Sequence, residues 1–335
     1  MTTYHRKKRS RLVLNLIIVA AIIAGGIFAS SYTQYRLLAQ TDGQFETDTK
    51  NVTQLVLKDV ESYNNLLYNA RAYVENSQNV TQSEWDNYFK SQNTFERNLG
   101  ISALYYTEIV QNDDLPARLV ELKNDPNYGS NFSIRPAGER EKYGVTTLTS
   151  STVDLTKSQG FDVFSTPDRL ATYEKATSLN RPVASAPFKL DSGMDGFFVT
   201  LPVFKDDINI GYVGASFRTK TFIDSIYAGT SDAIATRISD VTDQSNKKTL
   251  FESDNWASTK DELSRTDTIS FGEKSWELTF KSVRAYGSGL FNQSLPILIL
   301  MGSAALILLV LLAHIRHERL VDAKHAGHPK KHDDR

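Results

Sequence analysis

The side chains able to act as base, nucleophile or metal ligand are unevenly placed in this sequence. It has no cysteine, and its histidines are His5, His314, His317, His325, His328 and His332, so the long middle of the chain holds neither imidazole nor thiol. Ser-His-Asp and Cys-His nucleophile pairs and the usual zinc sets all require one of those groups. No glycine-rich loop of the phosphate-cradling kind occurs either. Carboxylates remain. The pairs Asp113-Asp114 and Asp206-Asp207 fall in turn-like stretches, where neighbouring side chains point apart and solvation is the expected state. Asp162 stands just before a helix start, where a carboxylate either caps the turn or faces a pocket. A carboxylate hydrolase would need a second acid within about 10 Å of it. His314 and His317 form an i, i+3 pair open to a metal or pH-switch reading, but with no acid or cysteine to complete a ligand set, a basic tail facing anionic lipid is the expected role. The chemistry left to this chain is binding: no catalytic residue, no metal and no cofactor are expected.

The elements that must position a binding site lie between two apolar spans, residues 12–31 and 295–315, each of about 20 residues and able to cross roughly 30 Å of hydrocarbon as a helix. The head, residues 1–11, carries Arg6, Lys7, Lys8, Arg9 and Arg11 without an acid, and the tail, residues 316–335, is also net basic; positive charge stays inside, so both termini are expected in the cytoplasm and the middle outside. Of 38 basic and 39 acidic residues the head takes 5 and 0 and the tail 6 and 4, which leaves 27 and 35 for the middle and argues against a nucleic-acid partner. A cleaved signal peptide is the alternative for the first span, although its apolar run exceeds an ordinary h-region. Asn15 within it reads as a tolerated single polar group or a helix-packing contact, and Pro296 as a first-turn residue of the second membrane helix. A tail of about twenty residues is too short for a catalytic output domain, so a signal is expected to leave through a separate cytoplasmic or membrane partner.

Within the middle, Val52, Val56, Tyr63, Leu66, Ala70 and Tyr73 recur at steps of three and four, interrupted where Asp59 falls on the seam, and predict a stalk helix over 32–76 with one packing face, turned to a dimer mate or to its own domain. Thr81-Gln82-Ser83-Glu84 is a capping box with Val80 placed as a staple, opening a helix through Trp85, Tyr88, Phe89, Gln92 and Phe95 that Gly100 stops. Strands are predicted at 101–110, 131–135, 144–149, 197–204 and 209–217, a helix from Thr166-Pro167 to Asn180, and a short helical stretch at 220–227. A smaller unit follows, with strands at 233–241, 248–252, 267–271 and 275–283, in which Trp276 and Phe280 share a face. Gly287, Ser288 and Gly289 read as a hinge into the second span. The sequons at Asn51, Asn79, Asn131 and Asn292 read as chance occurrences. The fold class is α+β: a membrane-distal module over 77–228 and a membrane-proximal one over 229–288, hung between a stalk and two transmembrane helices.

Several pieces of the distal module, in order, carry a resemblance: Gly100-Ile-Ser-Ala-Leu-Tyr-Tyr, Arg135-Pro-Ala-Gly-Glu-Arg-Glu-Lys-Tyr143, Gly160-Phe-Asp-Val-Phe-Ser-Thr-Pro-Asp-Arg169, Thr172-Tyr-Glu-Lys-Ala176, Val183-Ala-Ser-Ala-Pro-Phe-Lys-Leu190, Gly196-Phe-Phe-Val-Thr-Leu-Pro-Val-Phe204 and Gly211-Tyr-Val-Gly-Ala-Ser-Phe-Arg218. Over about residues 66–227 the chain resembles the CHASE family of extracellular sensing domains. The resemblance implies a stalk helix followed by two PAS-like α/β subdomains, with a small-molecule pocket in the distal one. In plant members the ligand is a cytokinin, an N6-substituted adenine, held by the aspartate of a Gly-x-Asp motif, the position of Asp162 here. It further implies apolar walls from Phe161, Phe164, Tyr105, Tyr106 and Phe198, polar contacts from Ser185 and Thr200, and a wall at Ala184, where the plant receptors carry a larger aliphatic residue. Most members continue into a kinase, cyclase or cyclic-dinucleotide domain, which this sequence lacks.

The function expected is a two-pass membrane sensor, working as a homodimer in the lipid bilayer and binding a small molecule without catalysis. The structural alternative is a membrane scaffold of the polysaccharide chain-length-regulator kind, against which the strand-rich middle weighs.

Overall fold

The computed structural model describes residues 2–152, 158–189, 195–227, 233–259, 263–283 and 290–326. The expected hinge at 287–289, Leu190, and His328 and His332 in the tail lie outside them. The chain forms two compact units, one of residues 1–46 with 285–335 and one of residues 47–284.

In the first unit the opening part of α1 (Thr2–Glu75) runs against α7 (Leu290–Ala326). Both are long and apolar enough to cross a membrane. Small residues meet where they touch: a Cβ on Gly26 would collide with the side chain of Ser303, and Ser30 Oγ donates to the Pro296 carbonyl at 3.0 Å. Asn15 Nδ2 lies 2.7 Å from His314 Nδ1, a contact between the two helices. Pro296 is not in the first turn, because α7 begins at Leu290 and the proline stands inside it, leaving the Asn292 carbonyl without its usual helical donor.

The second unit is built on the rest of α1. The first apolar span and the stalk are one unbroken helix. Its buried seam is Val52, Val56, Val60, Tyr63, Leu67, Ala70 and Val74, two steps of four followed by an alternation of three and four. Val60 therefore fills the step that Asp59 interrupts in the sequence pattern; Asp59 lies beside it, half-buried, with its carboxyl pushed up by burial. Helix α2 (Gln82–Ser91) has the capping box on both sides: Glu84 N donates to Thr81 Oγ1 and Thr81 N to Glu84 Oε2. It does not run to Gly100. Asn93 takes φ 50, breaks the helix, and a short α3 (Thr94–Arg97) follows.

The distal sheet is antiparallel, in the order β2-β1-β6-β5-β3, with β4 also on β5: β1 Ile101–Gln111, β2 Lys142–Ser151, β3 Val183–Ala184, β4 Phe188–Lys189, β5 Asp195–Lys205 and β6 Ile208–Arg218. One face carries α4 (Leu115–Asn124), which the sequence reading missed, and the other carries α5 (Pro167–Leu179). Residues 131–135 do not form a strand. Phe132 instead enters a cluster with Val110, Leu122, Tyr143 and Val145, only Arg135 bridges, to Phe161, and Pro136 has no N–H to extend a ladder. After α6 (Thr219–Tyr227) comes the proximal sheet, β7 Ile234–Asp240, β8 Lys248–Glu252, β9 Ser264–Phe271 and β10 Lys274–Ser282, in the order β8-β7-β10-β9. Both sheets place their first strand second and the strand that follows it in the chain at the edge, the PAS-like arrangement. Trp276, Leu278 and Phe280 all face the proximal core.

The sheets meet at one tight place. The two-residue turn Gly272-Glu273 between β9 and β10 has φ 53 and 68, as a primed hairpin turn requires, and the Gly272 carbonyl accepts the Ala184 N–H at 2.7 Å. A Cβ at Gly272 would overlap Ala184. Gly272→Val should therefore cost at least about 2 kcal/mol, or roughly 4–8 °C of melting point. Gly129→Val, with a similar positive φ but open space around it, should cost about half as much; thermal unfolding of the full chain measures both.

Candidate ligand site

Successive strand residues face opposite ways, so the α5 face of the distal sheet presents Tyr105 from β1, Phe198 and Thr200 from β5, and Tyr212 from β6. Tyr105 lies across β6 at Gly214, where any Cβ would collide with its ring. Helix α5 covers this floor with Tyr173, 1% exposed, whose ring centroid is 4.8 Å from Tyr212 and 5.4 Å from Phe198. Val163 and Phe164 close the cluster from the bend before α5, and Phe161, Leu170 and Phe188 pack around it half-buried. The Tyr173 hydroxyl donates to that of Tyr105 at 3.4 Å, and Thr177 Oγ1 is 2.7 Å from the Tyr212 hydroxyl. Burial pushes the ionisation of all three tyrosines upward, most strongly at Tyr105, where the neighbouring Tyr173 adds to it and Arg169 opposes it. They therefore remain neutral hydroxyls able to donate.

Asp162 is fully buried at the bend. Gly160 before it takes φ +78 against the Ser133 carbonyl, a position open only to glycine. Asp162 Oδ1 accepts from Gly144 N at 2.9 Å and from Phe164 N at 3.0 Å, which pins the bend to β2. Its Oδ2 faces Arg140 Nε at 3.3 Å but receives no aligned hydrogen bond among the described residues. Burial raises its ionisation above the usual carboxylate range, while the two backbone donors and Arg140 act the other way. The charged neighbour of Asp162 is thus a guanidinium, and the arrangement is that of a cap.

Of the residues expected at the site, Tyr105, Phe161, Phe164 and Phe198 are brought together. Thr200 is on the same face, its hydroxyl given to the Val213 carbonyl at 3.4 Å, and Ser185 adjoins it, accepting Phe198 N at 3.1 Å and donating to the Ala186 carbonyl. Tyr106 points to the other face, where it donates to the Ile210 carbonyl at 3.2 Å and lines a cavity of about 430 Å³ beside α4. Ala184 also faces away, against Gly272. The sequence reading passed over Tyr173, Tyr212, Phe188 and Arg169. Arg169 lies in the first turn of α5 with its guanidinium carbon 4.9 Å from the Phe161 centroid and 4.7 Å from that of Phe188. The signal for it was present: a cation seven residues after Asp162, on the helix that covers the sheet.

Residues 78–251, just over half of the chain, match the profile of the CHASE domain. This chain belongs to the CHASE domain family. The match leaves out the stalk seam and extends through β7 into β8, taking in part of the proximal sheet. Among curated proteins none matches at a significant level. Similar solved structures include the ligand-binding domain of the Pseudomonas aeruginosa amino acid chemoreceptor PctC in complex with GABA (12% identity, TM-score 0.40, covering 68% of this chain and 94% of that one). Others are the PctB domain of the same organism with L-Arg (11%, 0.45, 74% and 98%) and the sensory domain of Campylobacter jejuni Tlp3 with isoleucine bound (10%, 0.43, 75% and 96%). At such identities the likeness concerns the fold alone. The CHASE module described here is a sensor-type domain flanked by two apolar helices.

The cap geometry of Asp162 sets an expectation. Asp162→Ala strands two buried N–H groups and should cost on the order of 2–5 kcal/mol, whereas Asp162→Asn keeps an acceptor for both and should be far milder. Because the folded-state value is raised, the native form binds the extra proton, and this group's contribution to stability falls as pH rises from the ordinary carboxylate range through the raised value. Melting points between pH 4 and 7 should show that component in the wild type and not in Asp162→Asn.

Proposed function

We propose that this CHASE-domain protein is a two-pass membrane sensor that takes a small molecule at the α5 face of its distal sheet and passes the event through its membrane helices to a separate partner. The observation that carries this reading is the bracketing of the CHASE domain by two membrane-length apolar helices, the first of which is continuous with the stalk. The basic head and tail favour both termini inside.

A route from site to stalk is supported by contacts within the second unit. Helix α5, which covers the site, ends at Asn180 in a left-handed cap. Arg71 on α1 donates from NH1 to Asn180 Oδ1 at 2.8 Å and from Nε to Glu75 Oε1 at 2.8 Å. Glu75 Oε1 in turn accepts Phe204 N of β5 at 3.2 Å. A ligand that prefers one setting of α5 on the sheet would shift the population of settings of the α1 end. Leu57 and Tyr68, exposed on one side of α1 outside the seam, are the part of α1 that a second copy would cover in the expected homodimer. The scaffold alternative offers no role for the Arg71 network or the hydroxyl-lined α5 face.

Topology is testable because the sequence has no cysteine of its own. In intact cells Asn246→Cys, on an exposed turn of the proximal sheet, should react with a membrane-impermeant maleimide, and Ser10→Cys only after permeabilisation. The reverse pattern overturns the orientation, and labelling of both without permeabilisation overturns the two-pass reading.

A further inference from the structure

The strongest unexplained group at the α5 face is Arg169. Around the distal module Arg71 has Glu75 at 2.8 Å, Arg118 has Glu108 and Glu121 at 3.0 and 2.7 Å, and Arg140 has Asp162 at 3.3 Å, whereas the half-buried Arg218 at the end of β6 has no carboxylate among the described residues. Arg169 is half-buried, yet among the described residues it has no carboxylate and no hydrogen bond, only the rings of Phe161 and Phe188. Aromatic faces satisfy the faces of a guanidinium but not its N–H edge, which carries five donors in a planar fork. Half-burying that edge without an anion is costly. A carboxylate matches it with two parallel, charge-assisted hydrogen bonds.

The surroundings narrow the class of anion. Phe161 and Phe188 are each only partly buried, so an apolar surface continues from both sides of the cation out to solvent. Beneath them lie the hydroxyls of Tyr105 and Tyr173, close enough for the Arg169 charge to act on both. One cation, the remaining hydroxyl donor of Tyr105 and neighbouring phenyl rings suit a single negative charge carried on an apolar body. By contrast, the cavity beside α4 is lined by Arg118, whose charge two glutamates already meet, and by Lys205.

We infer that Arg169 is the anchor for the carboxylate of a small organic monoacid, whose apolar part lies against Phe161 and Phe188. This rests on the sensor reading above and adds the ligand class to it. It also parts from the plant members' ligand, since an uncharged N6-substituted adenine brings no anion to the fork.

The test uses the full chain in lipid nanodiscs, at fixed ionic strength, with phenylacetate, 4-methylpentanoate and L-leucine, their amides, and N6-benzyladenine as probes, read by melting point and titration calorimetry. At least one carboxylate should stabilise the wild type, with its amide at least tenfold weaker. Arg169→Gln should weaken that carboxylate about 10- to 100-fold, and Arg169→Lys, which keeps the charge without the fork, should fall between. The melting points of the unliganded variants show whether the fold is intact; should Arg169→Gln fail to fold, Arg169→Lys together with the acid-to-amide ratio in the wild type decides. Equal binding of a carboxylate and its amide, or an unchanged affinity in a folded Arg169→Gln, overturns the assignment. Binding of N6-benzyladenine or the amides alone overturns it and leaves the sensor reading standing, and no binding of any probe tells against both.

Discussion

The second unit depends on the burial of one side of α1. Beyond its apolar opening span a helix of this length gains little from local propensity, and its persistence along the body of the protein comes from tertiary packing of the seam from Val52 to Val74. That seam is shared. Thr53 donates to Asp267 of β9 at 2.7 Å, Tyr63 packs against Phe217 and Phe222 at 5.1 and 5.6 Å, and Tyr73 stacks on Tyr88 at 4.5 Å. Proximal sheet, distal sheet and α2 therefore all complete their cores on the same helix.

Between the sheets the packing is aromatic. Phe197, Phe217, Phe222, Phe271 and Trp276 form a cluster in which neighbouring ring centroids stand 4.8 to 6.0 Å apart, mostly edge to face. These residues come from β5, β6, α6, β9 and β10, so each sheet supplies part of the other's core. The site lies on the opposite face of the distal sheet, under α5. This division separates a face committed to holding the modules together from one that carries hydroxyls, a cation without a carboxylate among the described residues, and partly exposed rings.

Much of this was legible in the sequence where a single period or a local rule suffices. The seam, the capping box of α2, the Pro167 start of α5 and the alternation of Trp276 and Phe280 are of that kind. What depends on partners far away in the chain was not. Asn131 to Arg135 has strand composition but buries Phe132 under α4, and α4 itself was hidden because Asp113-Asp114 before Pro116 looks like the start of a turn. At the site, the aromatic character of Tyr105 and Tyr106 was visible, but strand parity sends them to opposite faces. Ala184 was assigned to the site by position in a motif, whereas its register opposite Val199 turns it toward the other module. Arg169 escaped because its significance lies in the rings on either side of it, one of which comes from β4.

The contact between Gly272 and Ala184 has a bearing on how such proteins diversify. Its hydrogen bond runs from main chain to main chain, so no side chain encodes it and none has to be retained for it to persist. What the contact does restrict is size: two of the smallest residues face each other, and enlarging either pushes the modules apart. In a lineage, those positions would therefore be expected to change in concert, while the α5-facing side of the same short strand is left at liberty to vary.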